Sequence, residues 1–142
     1  MVAALGTAAR ADNITMSGVS CKNYNASEAL DIDYRTWGVQ NVNTAPRWVI
    51  CPVPRSPLTS VPPTEFYVDG SNSPGTSTSC QATLYDYQGN ITATVSFIES
   101  ATTWDHPVTF SVAPSMWDYV NVMCQLPGSR GGTLLGTAAV QP

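Results

Sequence analysis

Asp105 and His106 stand side by side with serines nearby, the residue types of a hydrolytic site. Adjacent residues do not give the spatially converging Asp–His pair that activates a serine, and no Gly-x-Ser-x-Gly elbow occurs. His106 precedes Pro107 and reads as an exposed loop histidine ahead of a strand. Glu28, Asp31 and Asp33 form an acidic cluster of the Asp-x-Asp kind. Calcium loops add a glycine and a distal glutamate in register, which this stretch lacks, and Glu28–Asp31 equally suits one helical turn. The chain therefore carries no expected catalytic residue, metal site or cofactor, and is read as a non-enzyme.

The aromatic residues offer a different chemistry. Trp37, Trp104 and Trp117, with Tyr24, Tyr34, Tyr85, Tyr87 and Tyr119, could stack on sugar rings, or could pack core edges while keeping a polar tip wet. Trp48, inside a compact apolar run, reads as core. Asn13, Asn25 and Asn90 each open an Asn-x-Ser/Thr sequon and are candidate glycan acceptors. The polar loop 71–79 is a candidate for O-linked sugar.

The four cysteines, Cys21, Cys51, Cys80 and Cys124, form no C-x-x-C pair and lie far from the single histidine, which argues against zinc and for two disulfides. Of the three connectivities, Cys21–Cys51 with Cys80–Cys124 is preferred because each ties neighbouring segments. Each closed loop would contribute about 3–4 kcal/mol by restricting the unfolded chain.

Composition narrows the partners. At 142 residues the chain is long enough for one well-filled core. Charged residues make up 11%, against about 25% in typical soluble proteins, and Lys22 is the only lysine. Thirty Ser and Thr, eleven Pro and ten Gly take their place. A net charge of −4 disfavours nucleic acid and anionic membrane, and no apolar run reaches the length of a membrane span. Low charge, hydroxyl-rich composition and paired cysteines point to a secreted protein, extracellular or at the cell surface.

Helical periodicity is nearly absent, and short alternating runs are separated by Pro, Gly, Asn and Ser. Strands are expected at 47–51, 65–69, 80–84, 90–97, 108–112, 120–126 and 133–140, with a loop over 100–106. The region 21–46 reads as a short strand plus loops. Gln88-Gly89-Asn90 turns a hairpin. One face of each strand is apolar and the other carries Thr, Ser or Asn, so the outer faces should meet water, sugar or a polar neighbour. The expected fold is all-β: a single antiparallel sandwich of seven to eight strands, jelly-roll or Ig-like, over residues 17–142, preceded by an extended arm over residues 1–16.

That arm has its own signal. Leu5-Gly6-Thr7-Ala8-Ala9 recurs as Leu135-Gly136-Thr137-Ala138-Ala139. Ala9-Arg10-Ala11 also has the form of a signal-peptide cleavage site, without a basic region before it. If the segment belongs to the mature protein, its small residues suit a narrow slot beside a sheet edge, where main-chain bonds dominate.

The stretch 21–142 resembles a set of uncharacterised secreted bacterial proteins, through Trp48-Val49-Ile50-Cys51-Pro52, Ser79-Cys80 with Leu84-Tyr85, and Val122-Met123-Cys124-Gln125-Leu126-Pro127. The resemblance implies a β-sandwich with two disulfides and no assigned activity. The arm is similar to those of bacterial extracellular filament protomers that polymerise by strand donation. On that reading Val2, Ala3, Ala4, Leu5, Gly6, Thr7, Ala8 and Ala9 insert beside Leu135, Thr137 and Ala139 of the next copy. The chain is then a structural subunit whose partners are identical subunits in an open helical polymer. The alternative expectation is a monomeric secreted carbohydrate-binding module.

Overall fold

The computed structural model describes residues 12–55, 63 and 65–141. Eleven strands follow in order: β1 (Asp12–Ser17), β2 (Lys22–Asn23), β3 (Ile32–Arg35), β4 (Gly38–Asn41), β5 (Arg47–Pro52), β6 (Glu65–Asn72), β7 (Thr78–Tyr85), β8 (Ile91–Glu99), β9 (Thr103–Val108), β10 (Tyr119–Leu126) and β11 (Gly132–Gln141). Short 3-10 turns span Gly18–Ser20 and Ala26–Asp31. The strands form two antiparallel sheets, and the fold is a β-sandwich. Sheet A runs β3-β4-β11-β6-β9 with β1 also on β11, and sheet B runs β2-β5-β10-β7-β8.

Alternation of side chains explains how the layers meet. Leu84, Val49, Val122 and Leu126 of sheet B and Val39, Val68 and Leu134 of sheet A are almost wholly buried. Each such Val or Leu contributes about 1.5–3 kcal/mol through burial. Both disulfides, Cys21–Cys51 and Cys80–Cys124, belong to sheet B. Cys80 and Cys124 are directly opposed across β7 and β10, and Cys21 ties the two-residue strand β2 to β5.

Several elements differ from expectation. Residues 12–16, read as arm, form most of β1 and pair antiparallel with β11 from Asp12↔Gln141 to Ser17↔Gly136. The region 21–46 contains three short strands, not one, because its pairings are made to distant partners: β4 to β11 and β2 to β5. The stretch expected as a loop at 100–106 is largely β9, and the expected strand at 108–112 ends at Val108. Trp104 decides that register. It pairs with Gly70 on β6, where a Cβ would lie 2.1 Å from the indole ring, so the ring occupies space that only glycine leaves. Pro107 is tolerated because β9 is an edge strand of sheet A. Phe110 no longer needs a strand, since it packs edge-on against Phe66 at 5.6 Å.

One end of the sandwich is locked by buried asparagines. Asn41, fully buried, donates through Nδ2 to the carbonyls of Ala45 (2.8 Å), Leu126 (3.2 Å) and Pro127 (3.3 Å) and accepts from the Asn43 N–H (2.9 Å). Asn72 donates to Glu99 and Ala101 carbonyls and accepts from Thr78 Oγ1 at 2.7 Å. These bonds fasten the β4–β5, β6–β7, β8–β9 and β10–β11 connections. Asn41→Ala should lower unfolding free energy by about 3 kcal/mol, because it leaves buried carbonyls and an N–H unpaired. Urea denaturation checks this, with an unchanged m-value showing that the fold is retained.

Candidate functional site

The opposite end of the sandwich carries exposed aromatic rings. Tyr85 ends β7 and Tyr119 begins β10, and the two are paired across the strands. Their rings stack with centroids 5.3 Å apart and planes 10° from parallel. Ile91, the first residue of β8, pairs with Tyr85 on the other side, which extends the row across three strands. Tyr87 and Trp117 stand two residues beyond the ends of β7 and β10 and wall a hollow of about 210 Å³. They are 73% and 65% exposed, a large apolar area to leave in water with no role in the core.

Both exposed rings sit on turns fixed by a carboxylate. Asp86 accepts from the N–H groups of Gln88 (2.9 Å) and Asn90 (2.8 Å) and from Asn90 Nδ2 (2.9 Å). These bonds, the Asn90 side chain first, hold its carboxyl below the usual carboxylate range. Gly89, at φ +86, completes the turn in a conformation that suits glycine. On the other side Asp118 accepts from the Ser115 N–H and Oγ, both at 2.7 Å, and Ser115 Oγ accepts from the Trp117 N–H at 3.3 Å. The rings are thus presented on ordered backbone, which lowers the entropy lost when a ligand lands on them. Tyr85, Tyr87, Trp117 and Tyr119 were legible as stacking candidates, whereas Asp86 and Asp118, which hold them, were not. The Asp-x-x-Gly-Asn spelling of the first turn was the available signal.

From this end the outward positions of β5, β7, β8 and β10 in sheet B continue without charge. β10 presents Tyr119, Asn121, Met123 and Gln125 outward, as its alternating burial shows. Asn121 is flanked by Thr83 and Pro52, Met123 by Gln81 and Ile50, and Gln125 by Ser79 and Trp48. Trp48, expected in the core, lies half-buried on this outer face, because Val49 and Cys51 take the inward positions of β5. Trp104, expected among the stacking residues, is instead a core residue at 6% exposure, with no partner for Nε1 among the described residues.

A second concavity lies on the outer face of sheet A. Two adjoining hollows of about 640 and 450 Å³ share Thr15, Asp69 and Asp105, with Gly136 and Ala138 of β11 among the small residues lining them. Here the polar groups satisfy one another. Tyr67 Oη donates to Glu65 at 2.6 Å, and Asp69 and Asp105, opposed across β6 and β9, share a hydrogen bond while one of the two is protonated. The groove therefore offers fewer uncommitted contacts than the aromatic end.

The remaining candidates are committed to structure. His106 is part of β9, not of a loop: it stacks on Phe97 at 3.7 Å and its Nδ1 is 2.5 Å from Glu99 Oε1, closing the β8–β9 side of the sandwich. Asp31 pairs with Arg47 at 2.7 Å, which holds its carboxyl below the usual range, and Asp33 pairs with Arg35 at 2.6 Å. Glu28 Oε1 lies 3.8 Å from the same Arg47. Arg35 and Arg47 thus offset the charge of that cluster. Asn13 and Asn25 are exposed, whereas Asn90 uses its amide in the Asp86 turn. Val2 to Ala9 lie outside the described residues. The place expected for them beside β11 is taken by β1 of the same chain, β6 occupies the other side, and Thr137 and Ala139 face the core.

No family model matches the chain, and no curated protein matches it. It is similar to a solved structure of a carbohydrate-binding module in complex with β-1,4-galactotriose, with 11% identity over 91% of this chain and 83% of that one, at a TM-score of 0.38.

The carboxyl pair gives a pH signature. Partial burial, then the hydrogen bond shared with Asp105 and its charge, push the Asp69 carboxyl up to about 6. An unfolded aspartate loses its proton near about pH 4, so between about pH 4 and 6 the folded chain holds a proton that the unfolded chain has lost, and the pair's contribution to stability falls as pH rises through that window. Asp105→Asn removes the opposed charge and donates a hydrogen bond instead. Thermal melts from pH 4 to 7.5 should show the variant more stable than the parent at the upper end, with a flatter profile across the window.

Proposed function

We propose that the chain is a non-catalytic module that binds neutral carbohydrate, with the aromatic end of sheet B as its primary contact. The supporting observation is the stacked Tyr85–Tyr119 pair continuing into the exposed rings of Tyr87 and Trp117. A pyranose ring has apolar C–H faces and a rim of hydroxyls. Exposed aromatic faces bind the first, and neighbouring amides and carbonyls bind the second. Fixed turns hold these rings before ligand arrives. The low charge of the chain fits an uncharged ligand.

The filament reading draws on the arm sequence. It has less support from the fold, because β11, the strand proposed to receive the arm, is flanked by β1 and β6 over Gly136–Val140.

A neutral glycan array followed by calorimetry tests the proposal. At least one neutral glycan should bind, and Trp117→Ala and Tyr87→Ala should each weaken it about tenfold, the loss of about 1.4 kcal/mol of ring contact. Both variants should melt with the parent, since neither ring is part of the core. Absence of binding to every neutral glycan at millimolar concentration would overturn the proposal.

A further inference from the structure

The face of sheet B beyond the aromatic end has unused hydrogen-bonding capacity. Asn121, Gln125 and the neighbouring Gln81 are half-buried, yet no side-chain amide among the three has a hydrogen-bond partner among the described residues. Asn41, Asn72 and Asn90, by contrast, all spend their amides on partners within the chain. The three free amides are not scattered. Asn121 and Gln125 alternate with Met123 along β10, and Gln81 sits opposite Met123 on β7.

An aromatic ring stands at each end of this row. Tyr119 opens β10, and Trp48 lies opposite Gln125 at the other end. No charged side chain occupies the outward positions of β5, β7, β8 or β10, which leaves Lys22 on the edge strand β2 as the nearest charge in sheet register, opposite Ile50. From Tyr119 to Gln125 the strand advances about 20 Å, the length of about four linked pyranose rings.

We infer that this row is an extended binding track, and that the ligand is a linear neutral polysaccharide lying along β10 rather than a single sugar or a chain end. The inference rests on the proposed carbohydrate reading and specifies its substrate class. Tyr119 and Trp48 supply ring faces at the two ends. Asn121, Gln125 and Gln81 donate to and accept from hydroxyls between them, and Met123 offers an apolar surface at the middle. The absence of charge discriminates against acidic polysaccharide only weakly, but it removes any penalty for desolvating an ion beneath a neutral chain.

Calorimetry on the full chain with neutral β-1,4-linked oligosaccharides of glucose, xylose, mannose and galactose, from disaccharide to octasaccharide, tests the track. Affinity in the binding series should rise to a chain of about four or five units and then level off. Gln125→Ala should weaken the longer oligomers about two- to tenfold, the worth of one hydrogen bond, and leave the disaccharide unchanged. Trp48→Ala should do the same. Gln125→Ala, which removes no core contact, keeps the test decisive if the tryptophan variant does not fold. Affinity independent of chain length, with Gln125→Ala unaffected while Trp117→Ala loses binding, would overturn the track and leave the aromatic-end reading standing. No binding of any oligosaccharide by the parent chain in this series or on the neutral glycan array would overturn both.

Discussion

Two sheets share one apolar interior, and that shared interior dictates the placement of nearly every other side chain. Val49, Leu84, Val122 and Leu126 on one layer and Val39, Val68 and Leu134 on the other can be buried only if each strand alternates strictly. A one-residue slip in β10 would send Val122 and Leu126 to solvent and Asn121 and Gln125 into the core, with each buried amide costing about 1–3 kcal/mol. The disulfide between the opposed Cys80 and Cys124 pins that register covalently. The outer faces are what remains once the inner faces are assigned, which makes them free to specialise.

The two ends of the sandwich specialise differently. At one end Asn41 and Asn72 consume their hydrogen bonds on loop carbonyls, so those connections are fixed and inward-looking. At the other, Asp86 and Asp118 perform a similar capping task from the surface, and the fixed turns point rings outward. A turn stabilised by a carboxylate does not need its aromatic neighbour for folding. Tyr87 and Trp117 are therefore exposed at little cost to the turns that carry them, which leaves their faces open for the proposed carbohydrate contact.

The most regular strands were legible because alternation is a local property. Cys80, Ala82 and Leu84, then Val120, Val122, Cys124 and Leu126, face one way without reference to any partner. β3 and β4 escaped notice because each has only four residues, too few for a period to show, and their place is set by β11 about ninety positions later. β9 was hidden by Asp105-His106-Pro107, a string that reads as a loop yet survives on a sheet edge where Phe97 and Glu99 hold the imidazole. Trp48 and Trp104 exchanged their expected roles. Flanking hydrophobicity marks a strand but does not say which of its two faces is buried. Gly70, the residue that makes room for Trp104, lies thirty-four positions away.

By itself, the sequence determined the class of architecture, the hydroxyl-rich outer faces and the low charge. Those follow from composition and period, which a chain carries wherever its partners lie. Only the tertiary structure decided which rings meet. Tyr85 and Tyr119 are joined by the β7–β10 pairing, Asp69 and Asp105 by β6–β9, and β1 takes the seat beside β11. Each of these is a contact between segments distant in sequence. Strand order and register are settled by how the whole set of strands shares one core, and no local pattern encodes that choice.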